Sequence, residues 1–361
     1  MGSAQPSRDC VDVIAHQGEL HRKGGRYGEA LVAFDRALTL DPDNAWVLAR
    51  RAGTRLVLAA REQRLSTCGA YDLGVLRTRY RPILADLERA LEKLPADTWI
   101  RCQKIDALRC MKALEECRDE CDRLLDLAPG FAWAYQRRAW AHRWMFWFDE
   151  ALADIERALE LRRDDAYSEA YRSIIYSMMR RTEEALAGLF RVTARDARLV
   201  ITWSIEIGLF LVYSQRYGEA ISWLERGLSR GDSYYAHYFT AVAKALRDGV
   251  HGARGEIESA RAAARATLET EGRAAGEYML AGMDVLEGRR DEAVARLESA
   301  MNAHDSFIEI SLYDPVARSV CGHPRLRSVI LSRISEEHRA MKYFRGDIPT
   351  SWNEAEAGRF R

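Results

Sequence analysis

The chain has 361 residues, and its 54 lysines and arginines balance 54 aspartates and glutamates, so the formal net charge is zero. A neutral chain lacks the whole-molecule basic footprint that nucleic acids and anionic membranes attract, so neither is expected as a partner. Apolar residues at 48% and only 8 prolines fit a chain with much surface to bury rather than long disordered tracts.

The seven cysteines, Cys10, Cys68, Cys102, Cys110, Cys117, Cys121 and Cys321, are odd in number and not spaced as a disulfide framework. Met1 to Arg8 is polar, without the apolar core of a signal peptide. The most apolar window, Leu199 to Tyr213, is 15 residues long and contains Glu206, too short to span a bilayer. These features predict a reducing, cytoplasmic setting.

In chain order, the first clear phrase is Gly25-Arg-Tyr-Gly-Glu-Ala30, with Phe34, Ala37 and Pro42 following. It predicts a glycine turn, then a helix with Ala30, Phe34 and Ala37 on one face, closed by a proline. Gly18 and His21 fall at the offsets of a preceding helix. Asn44 is placed to cap the next helix, which opens Ala45-Trp46. The matching second helix reappears at Ile83, Leu87 and Ala90, closing at Pro95. Pro42 to Pro95 is 53 residues, 19 more than the 34 from Pro95 to Pro129. The excess falls at 63–79, where Gly69 and Gly74 interrupt the periodicity, and predicts an inserted loop. Five arginines lie between Arg61 and Arg81, against Glu62 and Asp72.

The phrase then recurs. Cys117 and Cys121 take the places of Ala30 and Phe34. Ala151 with Ile155 and Ala158 follows, then Ala185 with Leu189, 34 residues on from Ala151. Arg216-Tyr-Gly-Glu-Ala220 nearly repeats the first phrase. Ala253 with Ile257 and Ala293 with Leu297 complete eight occurrences; the 40-residue step between those alanines predicts a longer second helix in the seventh. Leu312-Tyr-Asp-Pro315 and Gly322-His-Pro-Arg-Leu326 lead into an apolar helix.

This pattern resembles the tetratricopeptide repeat, a 34-residue helix–turn–helix unit. The resemblance implies an all-α, right-handed superhelical solenoid. The expected division is an N-terminal extension at 1–10, a repeat array at 11–305, a capping segment at 306–334 and a tail at 335–361. The ending resembles the "D-P…D-P-R-F…L" helix that closes many bacterial repeat proteins, with His323 and Leu326 substituted. Its expected role is to cover the last exposed core face.

The resemblance further implies that the first helix of each unit lines a concave, partner-binding face. Register then nominates Trp46, Trp99, Trp133, Gln136, Trp140, Arg143, Trp144, Tyr167, Met178, Tyr213, Tyr235 and Tyr238. Charged positions at the same register include Asp12, Glu19, Arg22 and Lys23, then Asp106 and Arg109. Trp46, Trp99 and Trp133 occupy one place in three successive units. Large rigid aromatics suit a peptide- or helix-binding groove. They equally suit packing between helices, and the chain's own tail or insertion could fill the groove; the sequence leaves all three readings open. The three asparagines, Asn44, Asn302 and Asn353, avoid the groove register, so the carboxylate clamp of chaperone-binding members is absent.

Cys102, Cys110, Cys117 and Cys121 could bring four thiolates to one helix pair, but they form no C-x2-C knuckle and two occupy core registers. No H-E-x-x-H, G-x-S-x-G or phosphate-binding glycine loop occurs. The expectation is therefore no metal, no cofactor and no catalytic residue. The chain reads as an adaptor or scaffold binding a protein or peptide partner. The alternative is an accessory subunit touching nucleic acid through 61–81. Oligomeric state is not legible.

Overall fold

A computed structural model describes residues 8–65, 73–229, 233–269, 273–303 and 306–334. Among them the chain is helical, with no strand. It divides into two compact units, with the break at 141–142.

The first unit holds three helix pairs. They are α1 (Arg8–Lys23) with α2 (Tyr27–Leu40), α3 (Ala45–Leu65) with α4 (Leu73–Lys93), and α5 (Thr98–Cys110) with α6 (Leu114–Leu127). Most of α7 (Ala132–Trp144) also belongs to it. The second unit continues with α8 (Phe148–Leu161), then α9 (Ala166–Met178) with α10 (Thr182–Arg195), and α11 (Arg198–Tyr213) with α12 (Tyr217–Leu228). After these come α13 (Tyr234–Gly252) with α14 (Arg254–Leu268), and α15 (Arg273–Leu286) with α16 (Arg290–Ala303). Three short helices finish the described chain: α17 (Ser306–Tyr313), α18 (Pro315–Arg318) and α19 (Pro324–Arg333). The all-α repeat of helix pairs expected from the sequence is thus present in each unit.

The landmarks act by size. At Gly18 an added Cβ would lie 2.7 Å from the ring of Phe34, and at Gly208 2.6 Å from Cγ of Leu224. The two helices of a pair cross at these points, so only a residue without a side chain lets the partner helix's knob reach the axis. Ala30, Phe34, Ala220 and Leu224 are fully buried accordingly.

Among the described residues, the turn inside six of the pairs uses one left-handed residue. Gly25 and Gly288 fill it with φ of 75° and 80°, but Lys112, Phe146, Arg180 and Gln215 adopt φ of 56–63° with full side chains; Gly249, at φ 81° and ψ 162°, instead breaks the helical run inside α13. In most of these turns the next N–H reaches back to a carbonyl in the last turn of the helix, as from Arg26 to His21 (2.9 Å) and Arg181 to Tyr176 (2.9 Å). This is a Schellman closure, which satisfies carbonyls the helix end would otherwise orphan.

Second helices also carry buried acids at one equivalent place in three consecutive pairs. Asp86 is held by Arg51 (2.6 Å) and Arg55 (3.1 Å). Glu120 is held by Arg101, Lys104 (3.4 Å) and Arg123 (2.9 Å). Asp154 faces His142 at 3.0 Å. Burial works against the charged Glu120, but Lys104 and Arg101 outweigh it and hold its carboxyl below its ordinary value. Such pairs resist truncation, because losing one partner strands a buried charge.

The inserted stretch differs from expectation. Residues 63–65 and 73–79 are helical, making α3 and α4 21 residues each where α5 has 13 and α6 has 14. Leu76 and Tyr80 are buried, Tyr80 against Cys110 of α5, so the described added turns of α4 are packed helix rather than loop. Residues 66–72, with Cys68 and Gly69, lie outside the described residues, as does the tail at 335–361. Pro82 sits inside α4 on an exposed side and leaves the carbonyl of Thr78 without its usual intrahelical donor. Asn44 caps α3 as expected, its Oδ1 accepting from the N–H of Val47 at 3.1 Å.

Candidate functional site

Successive first helices pack on one another in each unit, α1 on α3 and α3 on α5, then α11 on α13 and α13 on α15. The resemblance implies that their shared side is the inner face of each unit.

In the first unit, Trp46 and Trp99 are each the second residue of their helix and remain 40% and 37% exposed. The guanidinium of Arg50 lies between them, 5.3 Å from the Trp46 ring centre and 4.4 Å from that of Trp99. Trp46 meets buried Phe34 edge-on at 6.4 Å, and Trp99 passes over Gly53. Each indole therefore has one face or edge on the protein and another toward solvent. Trp133 repeats the arrangement: Arg137 lies 4.7 Å from its ring, and Phe131 stacks at 5.9 Å.

Two carboxylates organise these arginines. Glu19 is buried, accepts two hydrogen bonds of 2.7 Å from Arg22, and stands 3.9 Å from Arg50. The Arg22 hydrogen bond outweighs burial and holds the Glu19 carboxyl below the usual range. Asp106 is shared by Arg109 and Arg137, each at 3.3 Å. The face is thus an alternation of indoles and guanidinium groups, and cation–π stacking keeps those side chains extended.

Trp140 and Gln136 were expected on this open face, but both are buried. Arg109 and Lys112 lie over the Trp140 ring at 5.8 and 5.0 Å and cover it. Lys112 gets there from its left-handed turn position. Arg50 and Arg137 escaped the sequence reading. The signal was present as W-x3-R at Trp46–Arg50 and Trp133–Arg137, one helical turn apart on the same side.

In the second unit, Arg143 stacks at 4.5 Å on half-buried Trp144. Tyr167 is 43% exposed and stacks on Tyr171 at 6.0 Å. Tyr235 is half-buried beside Tyr234 and Phe239. Met178 and Tyr238, expected to meet a partner, are buried, and half-buried Tyr213 is covered. The cover is the capping segment itself. The Tyr313 hydroxyl donates to the Met178 carbonyl, and its ring lies 5.8 Å from Tyr213. Arg180 also stacks on that ring at 4.2 Å and donates to the Leu312 carbonyl at 2.9 Å.

Asp314 is fully buried. Its Oδ2 accepts from the hydroxyls of Tyr238 (2.5 Å) and Tyr278 (2.6 Å), residues at one equivalent position in successive first helices. Its Oδ1 accepts from the N–H groups of Val316 (2.9 Å) and Ala317 (3.4 Å), capping α18. Burial pushes the Asp314 carboxyl up, while these four donors act against it. Tyr238 reaches this point across Gly282, where a Cβ would sit 2.1 Å from its hydroxyl. An inner-face position filled by the chain itself was among the readings the sequence left open, but for the tail or the insertion rather than 312–315.

Cys117 and Cys121 lie buried on α6, where a hydrogen bond with Cys117, then burial, raises the Cys121 thiol well above its ordinary value. Burial also raises Cys102 to about 11 and Cys321 to about 12, so these thiols stay protonated at neutral pH and are poor nucleophiles and ligands. Among the described residues no three histidines, cysteines or carboxylates gather as a metal site, and no helix is long and apolar enough to cross a membrane.

A family model described as "Tetratricopeptide repeat" matches residues 11–44, the first helix pair and the entry to the second. No curated protein matches the sequence. Similar solved structures include a thermophilic TPR protein, TTC0263, from Thermus thermophilus, 20% identical over 52% of this chain and 92% of that one, with a TM-score of 0.38. MamA from Desulfovibrio magneticus RS-1 is 12% identical over 53% of this chain and 96% of that one, with a TM-score of 0.44.

Proposed function

We propose that this array of tetratricopeptide-type helix pairs is a non-catalytic binding scaffold, and that the inner face of its first unit takes an extended peptide from a protein partner. The observation that carries this reading is Arg50 held between two half-exposed indoles, Trp46 and Trp99. Aromatic rings of this size bury much area at small entropic cost, and arginine adds directional donors beside them. A peptide pairing an apolar or prolyl residue with a carboxylate satisfies both. The apolar group lies on an indole, and the carboxylate replaces the loose 3.9 Å contact between Arg50 and Glu19.

Selection of linear peptides from a random displayed library on the full-length chain tests this. Enriched peptides should combine acidic with apolar or prolyl residues. Trp46→Ala or Trp99→Ala should each weaken them by at least about thirtyfold, the size of an anchor residue, with the helical signal retained. Equal binding to the variants would remove the face from consideration. Contact with nucleic acid through 61–81 predicts instead steep salt dependence and indifference to the tryptophans. Two arginines of that stretch are engaged within the protein, Arg61 stacked on Tyr27 at 4.7 Å and Arg79 3.9 Å from Glu62.

A further inference from the structure

The inner face of the second unit has a different relation to ligands. Three of its first helices present tyrosines toward one line: Tyr213 on α11, Tyr238 on α13 and Tyr278 on α15. Nothing in a helix-pair core requires two tyrosine hydroxyls at one point. A pair of phenylalanines would fill the same volume without hydroxyls to satisfy. They converge because a carboxylate, Asp314, is delivered between them from outside the pairs. Tyr313, the residue before it, enters a slot formed by the Tyr213 ring, the Arg180 guanidinium and the Met178 carbonyl. Pro315 then starts α18 and turns the chain away.

Arg180 shows what this costs. It occupies the left-handed turn position at φ 63°, where glycine serves in two other turns and full side chains in three. A side chain there is strained, yet this one both stacks on Tyr313 and binds the Leu312 carbonyl. The residue that closes this turn is thus also the one that holds the segment.

We propose that residues 312–315 are an internal ligand of the second unit's inner face, which is thereby closed to partners and reads the pattern aromatic–Asp–Pro. The ring is recognised by Arg180 and Tyr213, the carboxylate by Tyr238 and Tyr278, and the proline ends the bound stretch. An external peptide of that pattern competes for the face only when the resident segment leaves. The inference is independent of the first unit's binding role.

The test uses the full-length chain, Arg180→Gly and Tyr313→Ala variants, and a synthetic peptide with the sequence of residues 308–318. Hydrogen exchange in 310–318 should accelerate at least about tenfold in both variants, with α10 and α12 still protected. The peptide should bind Tyr313→Ala saturably and restore protection around Tyr238, and should not bind the parent chain. Arg180→Gly is the discriminating variant, because glycine relieves the turn. If Arg180 only shapes the turn, exchange in 310–318 will stay unchanged or slow, and the proposal falls. It also falls if 310–318 exchanges only together with the whole unit, which would make the segment ordinary core. Failure of the peptide to bind a variant with a released segment overturns it as well.

Discussion

Gly53→Ala separates an adjustable binding face from a rigid helix junction. An added Cβ would lie 3.2 Å from Cη2 of Trp99 and 3.2 Å from Oε1 of Gln103. Both neighbours are ends of side chains, and Trp99 is 37% exposed, so a shift of a few tenths of an ångström meets solvent rather than packed core. Replacing glycine by alanine inside a helix gains roughly 0.5–1 kcal/mol, so the net expectation is a small gain in stability. The shift also lifts the indole from Arg50, and a stacking contact of that kind contributes about 0.5–1 kcal/mol at an exposed site. Peptide binding should therefore weaken by about two- to fivefold while the protein becomes slightly more stable. Gly208→Ala supplies the contrast. Its Cβ would fall 2.6 Å from Cγ of Leu224, which is fully buried and cannot yield. Overpacking there costs about 1–3 kcal/mol and exceeds the helical gain. Thermal unfolding of both variants, with exchange rates in α3 and α11, reads the stability arm, and titration of a selected peptide reads the binding arm. Equal destabilisation by the two substitutions would show that Trp99 is locked into the junction, and the adjustable-face reasoning would fail.

Other consequences are open to direct measurement. Burial raises the Glu206 carboxyl to about 7 from its ordinary 4.5, and among the described residues its Oε2 has no hydrogen-bond partner. A folded value above the unfolded one favours folding below about pH 4.5, and that contribution is lost as pH rises through about 7. Glu206→Gln should thus flatten the fall in melting temperature between pH 5 and pH 8; an unchanged profile would mean the carboxylate is solvated. Replacing 63–79 by a short turn removes buried Leu76 and cuts into the long hairpin, so soluble yield or melting temperature should drop. Tyr80→Ala alone should cost about 3–5 kcal/mol in chemical unfolding, and a cost below 1 would contradict its burial. Cys117→Ala should behave as a mild small-residue swap, and Cys117→Leu should destabilise by overpacking, with the order reversed if the site has spare volume.

The repeat was legible because one geometric event, two helices crossing closely, recurs and demands the same sizes each time. Gly18 with Phe34 and Gly208 with Leu224 are that event written in residue types, so spacing alone yields the pairs and a register that gives Trp46, Trp99 and Trp133 one equivalent position. The helical nature of 73–79 was less legible, since Gly74 and the arginines hide a face whose members Leu76 and Tyr80 become buried only on folding, Tyr80 against Cys110 of α5. Exposure was not legible at all. Trp140 was assigned by register to the same side as Trp99, yet Arg109 and a left-handed Lys112 cover it, and no periodicity reports where a long side chain from the neighbouring pair will lie. The sequence by itself determined a chain of stacked helix pairs and proposed, by register, which side of each first helix faces inward. Only the tertiary structure decided which of those inner surfaces stays open. Tyr238, Tyr278 and Asp314 are 36 to 76 residues apart, and a carboxylate and two hydroxyls are driven together by the penalty for burying any of them alone.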